Sequence, residues 1–298
     1  MAPNPVLFRL GPLTVYWYGV LIVSGAMLAA QIASWLSRRN GHNPEIAWNM
    51  LLALLVAGIL GGRIYHILSS WDYYRLHPGE MFGIQMSGFG IYGSVIGGLV
   101  ALWIFCRVHK LRFLEWTDYV APGLLLAQAI GRLGNYFNSE LYGACTDLPW
   151  GVYIPPANRL EWLADCERFH PTFFYEAALN LIGAMVLFYL AARWRKGRLW
   201  GDIFFLYGLI YPVIRFFIEQ EVFRPDAYRM ANWMVAGLPM ARLISIVAFA
   251  FFAALLAVRH RLRRPGMIYA PGEPWQPPQP ALAEDEAPEA HGSSHDDA

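Results

Sequence analysis

Polar side chains recur at helical spacing near the end of one long apolar segment. Arg132, Asn135 and Tyr136 are separated by three and four positions, so a helix places them on one face. Glu140 joins that face if the helix continues. A guanidinium group inside a membrane-spanning segment is costly, and such residues are functional candidates by default. The spacing therefore predicts a polar site built on this helix.

A second apolar segment repeats the pattern with Tyr211, Arg215 and Glu219. Taken alone, Arg215 and Glu219 are also typical of a simple i,i+4 helix pair. Two arginines that face one cavity repel each other unless an anion lies between them, and the forked guanidinium group suits phosphate. The two segments together predict an anion-binding site.

Long apolar runs must position these residues. Of the 298 residues, 56% are hydrophobic and 15% are charged, and the mean hydropathy is +0.33. A spanning helix needs roughly 20 apolar residues. We therefore predict an all-α polytopic membrane protein with about seven transmembrane helices, at residues 14–36, 46–68, 89–107, 118–137, 172–193, 201–218 and 240–259. The net charge of +1 gives no basic field for nucleic acid.

Basic residues concentrate in alternate loops. Of the 23 Lys and Arg residues, 13 follow the first, third, fifth and seventh predicted spans. The positive-inside rule then predicts an outside N-terminus and a cytosolic C-terminus. Residues 1–264 are predicted to form the transmembrane domain, with a large outer loop at 138–171. Residues 265–298, Pro-rich and then acidic, are predicted to be a disordered cytosolic tail.

This orientation brings polar groups to one depth. At about 1.5 Å per residue, Arg132 and Arg215 lie roughly 20–28 Å from the inner surface, in the outer half of the bilayer. Other segments deliver polar residues to the same level: Tyr18, Arg63, Tyr92, Glu140, His170 and Glu219. Singly, the tyrosines fit an aromatic belt and Arg63 fits snorkelling to the headgroups. Together they predict a pocket for a phospholipid headgroup of the outer leaflet.

Three further motifs carry weaker signals. Residues 88–93 match GxGxxG, but they open a membrane span and not a βαβ unit, so we interpret them as a helix entry. The eight histidines lack metal-ligand spacing, and no metal site is predicted. Cys145 and Cys166 both lie in the outer loop, where the compartment permits a disulfide. Cys106 is interpreted as a packed thiol.

Residues 131–143, GRLGNYFNSELYG, closely resemble the signature of bacterial prolipoprotein diacylglyceryl transferases. Shorter motifs over residues 5–260 are similar to the same family: Trp17-Tyr18-Gly19, Gly61-Gly62-Arg63, His170-Pro171-Thr172, Tyr175-Glu176, Tyr211 through Glu219, and Arg224-Pro225-Asp226. The resemblance implies transfer of the diacylglyceryl group of phosphatidylglycerol to the lipobox cysteine of a prolipoprotein signal peptide, with release of glycerol 1-phosphate. It also implies a multi-pass protein of the bacterial cytoplasmic (inner) membrane, with its active site facing the outer leaflet and no cofactor.

Position by position, the resemblance implies that Arg132 and Arg215 bind phosphatidylglycerol. It implies catalytic or positioning roles for Asn135, Glu140, Glu219, Tyr18, Tyr92 and Tyr211, and its motifs also contain Arg63, His170 and Gly143.

Two positions depart from the family pattern. Tyr92 stands where some members have a histidine considered catalytic, and a tyrosine hydroxyl, with a pKa near 10 in water, is a poor base at neutral pH. Ala241-Arg242 replaces a common Gly-Gln pair, a change for which we have no functional account.

Two other classes of protein are consistent with buried arginines. The first is a phospholipid- or anion-binding membrane transporter, which predicts binding or flux without a covalent product; no convincing inverted repeat supports it. The second is a structural scaffold, which predicts that Arg132 and Arg215 tolerate substitution.

Overall fold

Helices make up most of the structure, a computed structural model that describes residues 3–11, 13–81, 88, 90–194, 196–225, 234–235 and 237–270. We number them α1 (Trp17–Arg39), α2 (Glu45–Ser69), α3 (Trp71–Tyr74), α4 (Ile91–Val108), α5 (Phe113–Asn138), α6 (Thr172–Arg193), α7 (Asp202–Ile218) and α8 (Met240–Leu262).

The predicted fold class is confirmed, and each of the seven predicted spans overlaps one long helix. Five helices are long and apolar enough to cross a membrane: α1, α2, α4, α6 and α8. Helix α7 has only 17 residues, and α5 carries Glu115, Asp118 and Arg132. The count of seven crossings and the orientation of the chain stay predictions.

The polar composition of α5 follows from its central place. It packs against α1, α6 and α7, and Trp116, Tyr119 and Leu125 are almost completely buried. Its neighbours approach closely, since a Cβ atom on Gly123 would lie 2.6 Å from the Cα of Ala29. A helix enclosed by other helices directs its polar side chains at protein and not at lipid, which is where ionisable groups in membrane helices are tolerated.

Three two-stranded antiparallel hairpins, none of them predicted, complete the described fold. Strands β1 (Val6–Leu10) and β2 (Leu13–Tyr16) pair before α1, β3 (Val152–Tyr153) and β4 (Arg168–Phe169) pair in the loop after α5, and β5 (Met234–Val235) and β6 (Leu238–Pro239) precede α8. Because Tyr16 is still extended, α1 begins at Trp17 and not at residue 14.

A buried polar cluster joins the N-terminal part of α5 to the segment before α7. The carboxylate of Asp118 accepts a hydrogen bond from the guanidinium of Arg198 (2.8 Å). The Nε2 atom of His260 lies 3.1 Å from a carboxylate oxygen of Asp202. We call Asp118, Arg198, Asp202 and His260 the Asp118 cluster.

The folded domain extends past residue 264, which corrects the predicted start of the tail. The backbone N–H of Tyr269 donates to the carbonyl oxygen of Arg198 (3.0 Å), and its hydroxyl donates to Asn40 (2.5 Å). The Tyr269 ring packs on Trp200 and is 6% exposed. A buried aromatic anchor thus fixes residues 265–270 to the bundle. The rest of the predicted tail, residues 271–298, lies outside the described residues, and its disorder stays a prediction.

Candidate active site

Arg132 and Arg215, which are predicted to face one anion, both bind a single carboxylate of the protein. Near the end of α5, Arg132 donates from Nη2 to Oε1 of Glu176 on α6 (2.7 Å). From α7, Arg215 donates from Nη1 to the same carboxylate, at 3.1 Å from Oε2 and 3.3 Å from Oε1. Three different helices thus meet at one carboxylate.

A second carboxylate extends the network. Glu219 follows α7 directly and accepts hydrogen bonds from Arg215, four residues before it, and from Arg224 (3.2 Å). We call Arg132, Glu176, Arg215 and Glu219 the arginine–glutamate cluster. Its carboxylates are 2–3% exposed, whereas Arg132 and Arg215 are 20% and 15% exposed. The arginine side chains are therefore the more accessible part of the cluster.

Glu140 supports the cluster by a route that differs from the predicted one. Helix α5 ends at Asn138, and Ser139 takes a left-handed conformation with φ of 54°, so Glu140 does not continue the helical face. The chain turns back, and Nδ2 of Asn135 donates to the Glu140 carboxylate (2.9 Å). Asn135 in turn accepts a hydrogen bond from Nη1 of Arg132 (3.4 Å). Asn135 therefore links Arg132 to Glu140.

Tyr18 lies beside this group because Gly134 leaves room for its ring. A Cβ atom at Gly134 would lie 2.3 Å from Cδ2 of Tyr18. From this position on α1, Tyr18 interacts electrostatically with Glu140 and Arg132. Next to Tyr18 is an open groove of about 810 Å³, which is mostly apolar and is lined by residues 14–16, 18–20, 23, 24 and 138. The groove gives an apolar molecule a place beside the charged groups.

The loop after α5 covers the same end of the bundle. Gly143 donates its N–H to the carbonyl oxygen of His170 (2.8 Å), and a Cβ atom there would lie 2.7 Å from the Cβ of His170. Nδ1 of His170 lies 3.3 Å from the hydroxyl of Tyr175, the neighbour of Glu176. A disulfide joins Cys145 to Cys166 across this loop. Gly143 and His170 therefore connect the loop to the start of α6.

Arg63, Tyr92 and Tyr211 have their described contacts elsewhere. Arg63 is 1% exposed and donates to the carbonyl oxygens of residues 80 (2.6 Å), 81 (2.7 Å) and 88 (3.3 Å), so it holds the loop after α3. Tyr92 opens α4, is 42% exposed, and has its ring 5.9 Å from that of Tyr65. Tyr211 stacks on Tyr207 one turn before Arg215. Asp226, in a quoted motif, lies outside the described residues.

Sequence reasoning missed the role of Glu176, which is the centre of the network. The signal was present, because a lone acid in an apolar span is as costly as a lone arginine. Its two partners lie 44 and 39 residues away on other helices, and so its pairing is not readable from spacing.

The cluster presents forked guanidinium donors, which are suited to bind an anion. The cluster and its close neighbours contain three guanidinium groups and three carboxylates, so their formal charges cancel. These groups belong to Arg132, Arg215, Arg224, Glu140, Glu176 and Glu219. Within the described parts of the chain, no group of three or more His, Cys, Asp or Glu side chains is placed to hold a metal ion. An incoming phosphate competes with carboxylates for forked donors that bind it equally well.

Fold and site together define a class: a polytopic helical membrane protein in which buried carboxylates and partly exposed arginines meet at one end of the bundle. The sequence model of the prolipoprotein diacylglyceryl transferase family matches residues 5–258. A relative from Chloroflexus aggregans, named phosphatidylglycerol–prolipoprotein diacylglyceryl transferase, is 39% identical over 266 residues, which cover 84% of this chain and 87% of the relative. Relatives of the same name from Trichormus variabilis and Synechocystis are 36% and 38% identical; they cover 89% and 82% of this chain, and 92% and 85% of their own lengths. The chain belongs to the prolipoprotein diacylglyceryl transferase family.

Proposed function

We propose that this protein transfers the diacylglyceryl group of phosphatidylglycerol to the lipobox cysteine of prolipoproteins. The names of its relatives supply both substrates, a lipid and a protein precursor. The reaction forms a thioether and releases glycerol 1-phosphate, and it is the first step of bacterial lipoprotein maturation. The protein acts in the cytoplasmic (inner) membrane, with the arginine–glutamate cluster at the outer leaflet.

One observation carries the proposal: Arg132 and Arg215, from different helices, converge on a single carboxylate. A site that holds one oxyanion between two forked cations has the geometry for a second oxyanion, the lipid phosphate. The two guanidinium groups are partly exposed, so phosphate reaches them without unfolding the network.

The chemistry uses the growth of charge on that phosphate. As the glyceryl carbon–oxygen bond breaks, the leaving glycerol 1-phosphate changes from a monoanionic diester to a dianionic monoester. Two cations in a water-poor pocket stabilise the dianion more than the diester, which is the condition for catalysis. The nucleophile is the cysteine thiolate.

The neighbouring groups hold the two arginines in position. Asn135 and Glu140 orient Arg132, while Glu219 orients Arg215 and is itself bonded to Arg224. The groove beside Tyr18 accepts apolar chain from the bilayer. Both substrates are amphipathic, so lateral entry suffices, and holding them side by side removes the entropy cost of a bimolecular encounter.

The test uses purified protein, phosphatidylglycerol labelled in its glycerol headgroup, and a synthetic lipobox peptide with cysteine. The expected result is a peptide heavier by one diacylglyceryl group, together with labelled glycerol 1-phosphate. A matched peptide with serine in place of cysteine controls for thiol dependence. Lipid binding or flux with no modified peptide would refute the transfer and favour a transporter.

A further inference from the structure

We propose that Glu176 is the proton acceptor for the substrate thiol, an inference that rests on the function proposed above. Glu176 is 2% exposed and contacts both arginines assigned to the lipid phosphate. Among the described residues, Glu176 is the carboxylate that is hydrogen-bonded to both Arg132 and Arg215. The reacting carbon is bonded to a phosphate oxygen, so a phosphate held by Arg132 and Arg215 brings that carbon near Glu176. In the proposed step the thiol attacks the face of the carbon opposite the leaving oxygen, with its proton directed at this carboxylate.

The other candidate bases are less well placed. The Glu140 carboxylate accepts from two amides, those of Asn135 (2.9 Å) and Asn138 (3.1 Å). Glu219 binds Arg215 and Arg224, and it has no described contact with Arg132. Tyr92 has its ring contact with Tyr65, in the α2–α4 pair.

Binding of the lipid prepares Glu176 for this role. The charged groups around its carboxylate come from α5 (Arg132), from α7 (Arg215) and from the residue after α7 (Glu219). Glu140 and Arg224 lie one residue layer further out. When phosphate takes guanidinium donors from Glu176, the carboxylate is left as a buried charge without its counter-ions. An unpaired buried charge is costly, and a proton from the thiol neutralises it.

The charges of the pocket balance through the step. The thiol S–H bond breaks and its proton goes to Glu176, while sulfur forms a bond to the glyceryl carbon. The carbon–oxygen bond to phosphate breaks, and its electron pair stays on the leaving oxygen. The protein groups, formally neutral beforehand, become +1 as the phosphate group gains one negative charge. The same transfer therefore creates the nucleophile and stabilises the leaving group.

The test compares two acceptor peptides on Glu176→Gln: one with cysteine, and one with selenocysteine, whose selenol is already ionised at neutral pH. A missing base costs roughly 10²–10⁴-fold with the thiol. We expect the loss with the selenol to be smaller than roughly ten-fold, because that acceptor has no proton to remove. The ratio of the two rates cancels any loss of folded enzyme.

Matched variants separate a base from a positioning carboxylate. Glu219→Gln and Glu140→Gln change the same network, and each should slow both acceptors by the same factor. Glu176→Gln that slows thiol and selenol equally, or that slows neither, overturns the inference. Wild-type enzyme that modifies neither peptide instead overturns the proposed function, so the two failures are distinct.

Discussion

Two groups of buried charges among the described residues have partners of different kinds. In the Asp118 cluster, Asp118 and Arg198 are at most 1% exposed. Asp118 also accepts from the backbone N–H groups of Gly201 (2.9 Å) and Phe204 (3.0 Å), and Arg198 donates to the carbonyl oxygen of Ala191 (3.1 Å). In the arginine–glutamate cluster, Arg132 and Arg215 donate their hydrogen bonds within the described structure to side chains, and both are partly exposed.

This contrast separates charges that hold the fold from charges that can exchange partners. A backbone group cannot move aside without distorting a helix, so bonds to backbone fix the Asp118 cluster. A carboxylate side chain can rotate away when phosphate arrives. Arg63 agrees with the rule, because its three carbonyl partners hold a loop and its side chain is buried. In this protein, the buried charges that are paired with side chains are therefore the better candidates for exchange with a ligand.

The largest expected effect is the loss of Arg132. We expect Arg132→Ala to lower transfer at least ~10³-fold, about 4 kcal/mol, because one of two cations on the developing dianion is gone. The protein should remain folded in the membrane, since Arg132 is at the accessible side of its cluster. The release of labelled glycerol 1-phosphate and the mass of the peptide measure the effect.

Two variants check that the loss is specific to Arg132. Arg168→Ala removes an exposed arginine of the β3–β4 hairpin and should leave transfer unchanged. Arg132→Lys keeps the charge but not the fork, so it should recover only part of the rate. Full activity of purified Arg132→Ala would contradict the assignment.

Asp118→Ala should lower the stability of the protein but not its transfer activity, which is the opposite of Arg132→Ala. It leaves Arg198 as an uncompensated buried charge, so we expect a loss of roughly 3 kcal/mol or more in unfolding free energy. Transfer per folded molecule should stay close to that of wild type. Thermal unfolding in detergent measures the first quantity, and Asp72→Ala, at a residue whose side chain is 92% exposed, is the control. If Asp118→Ala is fully stable but inactive, the contrast between the clusters is wrong.

The sequence predicts the helices well because lipid imposes one requirement on every span. Hydropathy locates all seven long helices, and the cost of a buried guanidinium predicts that Arg132 and Arg215 converge. The hairpins are not predictable from hydropathy, because each strand is only two to five residues long. They also depend on turns such as the one at Gly11, whose φ is 59°.

The sequence predicts depth but not partners. Arg63 is predicted to lie at the same depth as Arg132, but its guanidinium group donates to backbone carbonyl oxygens after α3. Glu176 was overlooked because its two arginines lie on other helices. Rotation about a helix axis, and the paths of loops, decide which charges at one depth touch.

The disulfide in the outer loop extends the comparison to a covalent restraint. Cys145 and Cys166 are 21 residues apart, so removing the bridge costs at most about 3 kcal/mol in the chain-entropy estimate. We expect Cys145→Ser/Cys166→Ser to speed proteolysis of the loop and to lower transfer only a few-fold, because Gly143 stays bonded to His170. Cys106→Ala, which removes a buried free thiol, is the control. Unchanged protease resistance would mean that the bridge does not restrain the loop.

Two glycines of one helix offer a matched pair beside the arginine–glutamate cluster. A Cβ at Gly134 would meet the Tyr18 ring, whereas nothing lies within 4 Å of a Cβ at Gly131. We expect Gly134→Ala to displace Tyr18 and lower transfer roughly ten-fold. Gly131→Ala should keep the activity and stabilise the helix by up to about 1 kcal/mol. Equal activities of the two variants would show that the position of Tyr18 does not matter for transfer.

The smallest expected effect is at Tyr92, where the family pattern and this structure point in different directions. Tyr92→Phe removes a hydroxyl from a 42% exposed ring whose described neighbour is Tyr65, so we expect less than a three-fold loss of transfer, about 0.6 kcal/mol. Tyr65→Phe, on the facing helix, should behave alike. The thiol and selenol peptides make the comparison decisive. If Tyr92 were the base, Tyr92→Phe would lower the rate with the thiol peptide but not the rate with the selenol peptide. If Tyr92→Phe lowers transfer more than Arg132→Ala does, and only with the thiol peptide, the proton acceptor is on α4. The comparison of exchangeable with fixed charges must then include the α2–α4 pair.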